Sequence, residues 1–132
     1  MTPSGRVRVK RVYDPPSRQD GRRILVDRLW PRGVSRKTVR IDEWARDLAP
    51  STRLRRWFGH DPARWAEFQK RYRAELRARS DRLAWLAGLA RGGRITLVYA
   101  ARDSDHNNAR ALQRLVAERL RRGGPRGRDT TR

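Results

Sequence analysis

Apolar and charged positions alternate through Arg6–Tyr13 (RVRVKRVY), the period-two pattern of a strand with one exposed face. Turn chemistry follows in Asp14–Arg22 (DPPSRQDGR), with two prolines and a glycine. Arg23–Leu29 then reads as a second strand, and its unbroken Ile24, Leu25 and Val26 suit a central strand covered on both faces. Beyond it the period changes to that of helices. Asp42 can cap a short helix carrying Trp44, Ala45 and Leu48, which Pro50 ends; Ser51 caps the next, which Gly59 terminates. Asp61-Pro62 is an N-cap followed by proline at the first helical position, and Trp65, Phe68, Tyr72 and Leu76 then form an apolar stripe. Ser80 caps a further helix through Leu83, Leu86 and Leu89, closed by Gly92-Gly93. Arg94–Ala100 (RITLVYA) is a third strand, and a last helix from about Asp105 or His106 packs Ala109, Leu112, Val116 and Leu120.

Strand, helices, strand and helix in that order imply a right-handed parallel crossover. The expected fold is α/β, a small mostly parallel three-stranded sheet with helices packed around it. The direction of the first strand stays open. Residues 6–122 make one such domain, between a disordered start at 1–5 and a disordered basic tail at 123–132 (GGPRGRDTTR). Sheets of this kind bind ligands beyond the carboxyl ends of their strands. Here those ends are Tyr13-Asp14, Asp27–Gly33 and Ala101–Asn108.

Composition limits the chemistry. The 132 residues suffice for one hydrophobic core, and five tryptophans argue against disorder. There is no cysteine, hence no disulfide and no thiolate nucleophile or ligand. No apolar N-terminal segment or membrane-length stretch occurs, so a soluble cytoplasmic protein is expected. The net charge of +20 is nearly all arginine, with Lys10, Lys37 and Lys70 the lysines. So general a bias is what GC-rich codons produce, and it names no ligand by itself. It does imply salt-sensitive, nonspecific affinity for polyanions such as nucleic acid.

Two stretches concentrate chemistry at the strand ends. In LVDRLWPRG, Asp27 and Arg28 can be a local ion pair and Trp30-Pro31 a plug for the sheet. Alternatively Arg28 and Arg32 offer planar donors to phosphate or carboxylate while Trp30 supplies a stacking face. In AARDSDHNNAR, a helix start supplies free N–H groups for an anion, and Asp103, Ser104 and Asp105 are ordinary capping residues. Capping requires neither Arg102 nor the His106-Asn107-Asn108 run. Two poor helix formers, Asn107 and Asn108, suggest amides employed as donors. His60, between a glycine stop and an Asp-Pro start, reads as loop packing, and the tryptophans at 44, 57, 65 and 85 read as core. No glycine-rich phosphate loop, metal-ligand cluster or nucleophile elbow is present. Ser104, Asp105 and His106 are too close in sequence to form a triad.

The stretches LVDRLWPRG, EWARDLAPS, LRRWFGHDPARW, RYRAEL and LVYAARDSDHNNA resemble the small YeaO-like proteins, a branch of domain-of-unknown-function family 488, from about Val7 to Leu120. The resemblance carries no settled activity. It implies that Asp27 matches the wider family's strand-two aspartate. It also lays that family's Cys-x-Glu on Tyr99 and Ala101, and its Cys-His-Arg on Asn107, Asn108 and Ala109. Arg53 stands where YeaO-like proteins more often carry glutamate. The reactive groups are therefore replaced by amides and a phenol. The expectation is a non-covalent module without cofactor or metal, binding a phosphorylated, nucleotide-like or nucleic-acid ligand through Asp27, Arg28, Trp30, Arg32, Tyr99, Arg102, Asn107 and Asn108. The rival is a hydrolase-like enzyme with Asp27 or Asp103 as base and His106 as acid. A structural or partner-binding domain is the third reading.

Overall fold

Four strands, β1 (Val7–Arg11), β2 (Arg22–Leu25), β3 (Glu43–Trp44) and β4 (Ile95–Tyr99), form one sheet in the order β1-β4-β2-β3. The computed structural model describes residues 6–129, and side chains through 122. Every pairing is parallel: Val7 lies opposite Ile95, Arg22 opposite Ile95 and Ile24 opposite Glu43. The sheet thus has four strands where three were expected, and β1 runs parallel to the rest. The additional strand sits where Asp42 was expected to start a helix. Asp42 caps nothing there. Its Oδ2 accepts the Arg23 N–H at 2.8 Å and its own N–H donates to the Arg23 carbonyl at 2.8 Å, so it extends the sheet alongside β2.

The helices are α1 (Arg36–Val39), α2 (Thr52–Phe58), α3 (Trp65–Arg77), α4 (Ser80–Gly92) and α5 (Asn108–Asp129). Most ends follow the predicted signals. The Ser51 hydroxyl accepts the Leu54 N–H, Gly59 closes α2 in the left-handed region, and Asp61 caps a 3-10 turn at Pro62–Arg64 that leads into α3. Ser80 differs: it is the first residue of α4 rather than its cap. The described backbone of α5 overlaps residues 123–129 of the expected tail, while 1–5 and 130–132 lie outside the described residues. No helix among the described residues is long and apolar enough to cross a membrane.

Period-two alternation along β2 and β4 builds a core on each face of the sheet. Ile24, Val26, Ile95, Leu97 and Tyr99 pack with Phe68, Tyr72, Leu86, Leu112 and Val116 from the longer helices. Leu25 and Val98 turn the other way, toward Val12, Val39, Trp30 and Trp44. The expected core tryptophans 57, 65 and 85 are partly buried against the first cluster. Toward the amino ends of the strands, buried Asp20 accepts from Lys10 at 3.1 Å and Arg23 at 2.7 Å. Burial alone would raise its pKa. The Ser17 N–H and these two cations hold it below the usual carboxylate value. Gly21 follows at φ 64°, so close to the Arg94 carbonyl that a Cβ would lie 2.0 Å from its oxygen.

Candidate functional site at the strand carboxyl ends

Beyond Val26, whose N–H still donates to the Val98 carbonyl at 3.1 Å, the chain leaves the ladder and Asp27 enters the space above the sheet. Asp27 Oδ2 accepts the Ala100 N–H at 2.9 Å, and Oδ1 accepts Asn108 Nδ2 at 3.1 Å. The same Asn108 amide donates to the Val26 carbonyl at 2.9 Å, and Trp44 Nε1 donates to the Asp27 carbonyl at 2.8 Å. One carboxylate thereby ties the ends of β2 and β4 to the start of α5. Burial raises its pKa, against the opposing influence of Asn108, Ala100 and the positive charge of Arg55.

The turn into α5 is self-capped. Asp103 Oδ1 accepts the N–H groups of Asp105 and His106 at 2.9 and 3.0 Å, and Oδ2 lies 2.9 Å from His106 Nδ1. The His106 contact is foremost among the bonds that lower the Asp103 pKa. Asn107, 2% exposed, caps α5: its Oδ1 accepts the Arg110 N–H at 2.9 Å and its Nδ2 donates to the Asp103 carbonyl at 2.9 Å. The residue expected to orient a ligand with its amide therefore spends that amide on the helix.

Over this frame opens a cavity of about 290 Å³. Asp27, Arg28, Trp30, His106, Asn107 and Asn108 all border it, so two sequence segments some eighty residues apart do converge. Arg28 donates through Nε and Nη2 to the Pro50 carbonyl, both at 3.3 Å, which holds its guanidinium at the wall. The structure adds Arg55 and Phe58 of α2, Phe68 of α3, and His60. Both histidines of the chain thus border one cavity. His60 has φ 60°, rare for a residue with a side chain, and the edge of Trp65 meets His106 at 5.3 Å. Neither the Arg55 guanidinium nor the His60 ring makes a hydrogen bond among the described residues. The cavity offers aromatic walls, fixed and free guanidinium groups, and two imidazoles. Its one carboxylate is already engaged.

A second, more open depression of about 600 Å³ adjoins the first, sharing His60, Ala100 and Ala101. Arg102 and Asp103 border this one. Two expected site residues lie on neither wall. Arg32 is exposed, and its carbonyl accepts the Tyr13 hydroxyl at 3.0 Å. Tyr99, 3% exposed, points into the helix-side core, where burial raises its pKa. It follows Ile95 and Leu97 in the inward alternation of β4. Trp30 borders the cavity; its Nε1 donates to the Val34 carbonyl at 2.8 Å and its ring meets Trp44 and Arg36. Arg55 was hidden among 34 basic residues, and Phe58 and Phe68 read as helix core. The signal for His60 was its rarity: with two histidines in the chain, each merited a place in the site. Among the described residues no group of three His, Asp or Glu side chains could hold a metal ion.

These features define a small parallel α/β domain with a pocket, lined by two arginines, two histidines and aromatic rings, at the carboxyl ends of its strands. The family described as "Inactive DUF488-N3 subclade" matches residues 6–131, and the chain belongs to it. Its relatives include the uncharacterized protein YeaO of Escherichia coli, 42% identical over 106 residues, which are 80% of this chain and 92% of that protein. The uncharacterized proteins Mb3100c of Mycobacterium bovis and Rv3073c of Mycobacterium tuberculosis are each 41% identical over 116 residues, covering 88% of this chain and 98% of theirs. No solved structure matches the chain at a significant level.

Proposed function

We propose that this protein is a non-covalent binding module for a phosphorylated, nucleotide-like ligand held in the cavity above Asp27. One observation carries the reading. Arg28 and Arg55 face an aromatic-walled space together with both histidines, while Asp27, Asn107 and Asn108 spend their hydrogen bonds on the frame. Guanidinium groups at a partly desolvated wall pair with phosphate in planar, charge-assisted geometry. Phe58 and Phe68 offer apolar surface to the rest of the ligand. Asp27 and Asn108 shape the pocket rather than touch the ligand's charge. The family's description as inactive and the absence of cysteine agree with binding rather than covalent catalysis.

A second reading, acid–base catalysis, has one observation of its own: the 2.9 Å contact between Asp103 and His106 Nδ1, which would orient the imidazole at the cavity. One experiment separates the two. Thermal unfolding is followed across nucleotides and sugar phosphates; a ligand at about 100 times its dissociation constant should stabilise the fold by roughly 2.7 kcal/mol. Arg28→Lys and Arg55→Ala should shrink that shift, and mass spectrometry should recover the ligand unchanged. Absence of any shift, or a shift untouched by both substitutions, refutes the binding reading. Conversion of the ligand by the wild type but not by His106→Ala replaces it with the enzyme.

A further inference from the structure

The second depression is not used by this reading, and it has the makings of a subsite. It shares His60, Ala100 and Ala101 with the first. On its wall, Arg11 Nε donates to the Ala101 carbonyl at 3.0 Å while its guanidinium lies 4.8 Å from the centre of the Tyr13 ring. The Tyr13 hydroxyl is tied to the Arg32 carbonyl at 3.0 Å. Tyr13 is therefore fixed at its hydroxyl and against Arg11, yet 47% exposed. Among the described residues, the exposed large hydrophobic side chains are Tyr13 and Leu29. Each borders one of the two adjoining cavities. Arg102, on the same wall as Tyr13, is exposed and makes no hydrogen bond or ion pair among the described residues. Asp103 also borders this depression, and its carboxylate is already bonded to two N–H groups and the His106 ring.

We propose that the ligand runs through both cavities and consists of two phosphate-linked nucleoside units. The proposal rests on the reading of the first cavity given above. At about 290 Å³ the first cavity alone falls just short of the roughly 300–1,000 Å³ typical of ligand sites, whereas the second adds about 600 Å³ and brings the two together within that range. A rigid, half-exposed tyrosine is a stacking platform for a base, and it costs little ordering entropy on binding. The Arg102 guanidinium takes the phosphate of the second unit. His60 stands at the junction, where the linking phosphate passes, and its left-handed backbone is the kind of local strain found at ligand clamps.

The test is calorimetric titration with thymidine 5′-monophosphate, the 5′-phosphorylated 3′–5′ dinucleotide, and a 5′–5′ pyrophosphate-linked dinucleotide. The wild type should bind at least one dinucleotide about tenfold or more tighter than the mononucleotide. Which one gains distinguishes a nucleic-acid end from a dinucleotide small molecule. Tyr13→Ala and Arg102→Ala should abolish most of that gain and leave mononucleotide affinity unchanged. Arg91→Ala, an equal loss of charge on α4, should keep the gain. A mononucleotide that binds with no gain for either dinucleotide overturns the second subsite alone, as does a gain that survives both substitutions. Binding of none of the three overturns the first-cavity reading along with it.

Discussion

Asn108→Ala removes two hydrogen bonds from the frame beneath the cavity, to Asp27 Oδ1 and to the Val26 carbonyl. A bond to an ionised acceptor contributes about 1.5–3 kcal/mol and a neutral one about 0.5–1.5, so about 2–4.5 kcal/mol is at stake. Alanine is the better helix former at the first position of α5, which returns about 0.5 kcal/mol and leaves a net loss of about 1.5–4. Urea unfolding near neutral pH should show this as a lower midpoint with an unchanged slope. The pH dependence sharpens the test. The Asn108 bond is one of the influences opposing the rise of the Asp27 pKa, so its removal raises that pKa further. A carboxyl raised in the folded state contributes stability that is present below its unfolded value, about 3.9, and lost as pH rises through the folded value. The loss is larger in the variant. The gap between the two proteins should therefore widen as pH rises above about 4, and narrow below it toward the pH-independent cost of the lost Val26 bond. In an Asp27→Asn background the same substitution should cost clearly less, because the ionised acceptor is gone. A cost under about 0.5 kcal/mol, or a pH-independent one, would refute the clamp assigned to Asp27 and Asn108.

Asn107→Ala should cost about 1 kcal/mol in chemical unfolding, the usual loss for an N-cap, while lowering ligand affinity less than Arg28→Lys does. The opposite ranking would return Asn107 to the ligand. Gly21→Ala should be among the most damaging single changes, at least about 3 kcal/mol, because a methyl group would meet the Arg94 backbone oxygen at a positive φ. A soluble Gly21→Ala protein with an unshifted melting temperature would contradict that packing.

The pattern of the chain carried the strands β1, β2 and β4, the cap of α2 and the cap of the 3-10 turn leading into α3, because each rests on local sequence. Ile24–Val26 needs only its own neighbours to read as buried, and Ser51 needs only Leu54. β3 was illegible for the converse reason. Glu43 and Trp44 become a strand through the exchange between Asp42 and Arg23, nineteen residues away, whereas an aspartate before an apolar run reads locally as a helix start. The site divides along the same line. Asp27, Arg28, Trp30, Asn107 and Asn108 border one cavity, as expected from strand ends that are visible in sequence. Their roles are not visible there, since whether an amide caps, clamps or faces a ligand depends on partners such as Val26 and Arg110. Tyr99 was misplaced by laying a motif on the chain without asking which face of β4 it occupied. Arg55 and His60 come from the α2 side of the cavity, which strand-end reasoning does not reach.

The strand order has a consequence for how the chain acquires its structure. β1 and β2 follow one another in sequence but never pair; β4, made last of the four, is inserted between them. During synthesis the first ninety or so residues can align only β2 with the two-residue β3, while β1 waits with unpaired backbone. Closing the sheet brings Val7 against Ile95, a long loop whose ordering has to precede the contacts that reward it. The same late strand delivers Ala100 and the start of α5 to Asp27. Sheet and pocket therefore depend on the same late strand, and a chain that lacks it has neither.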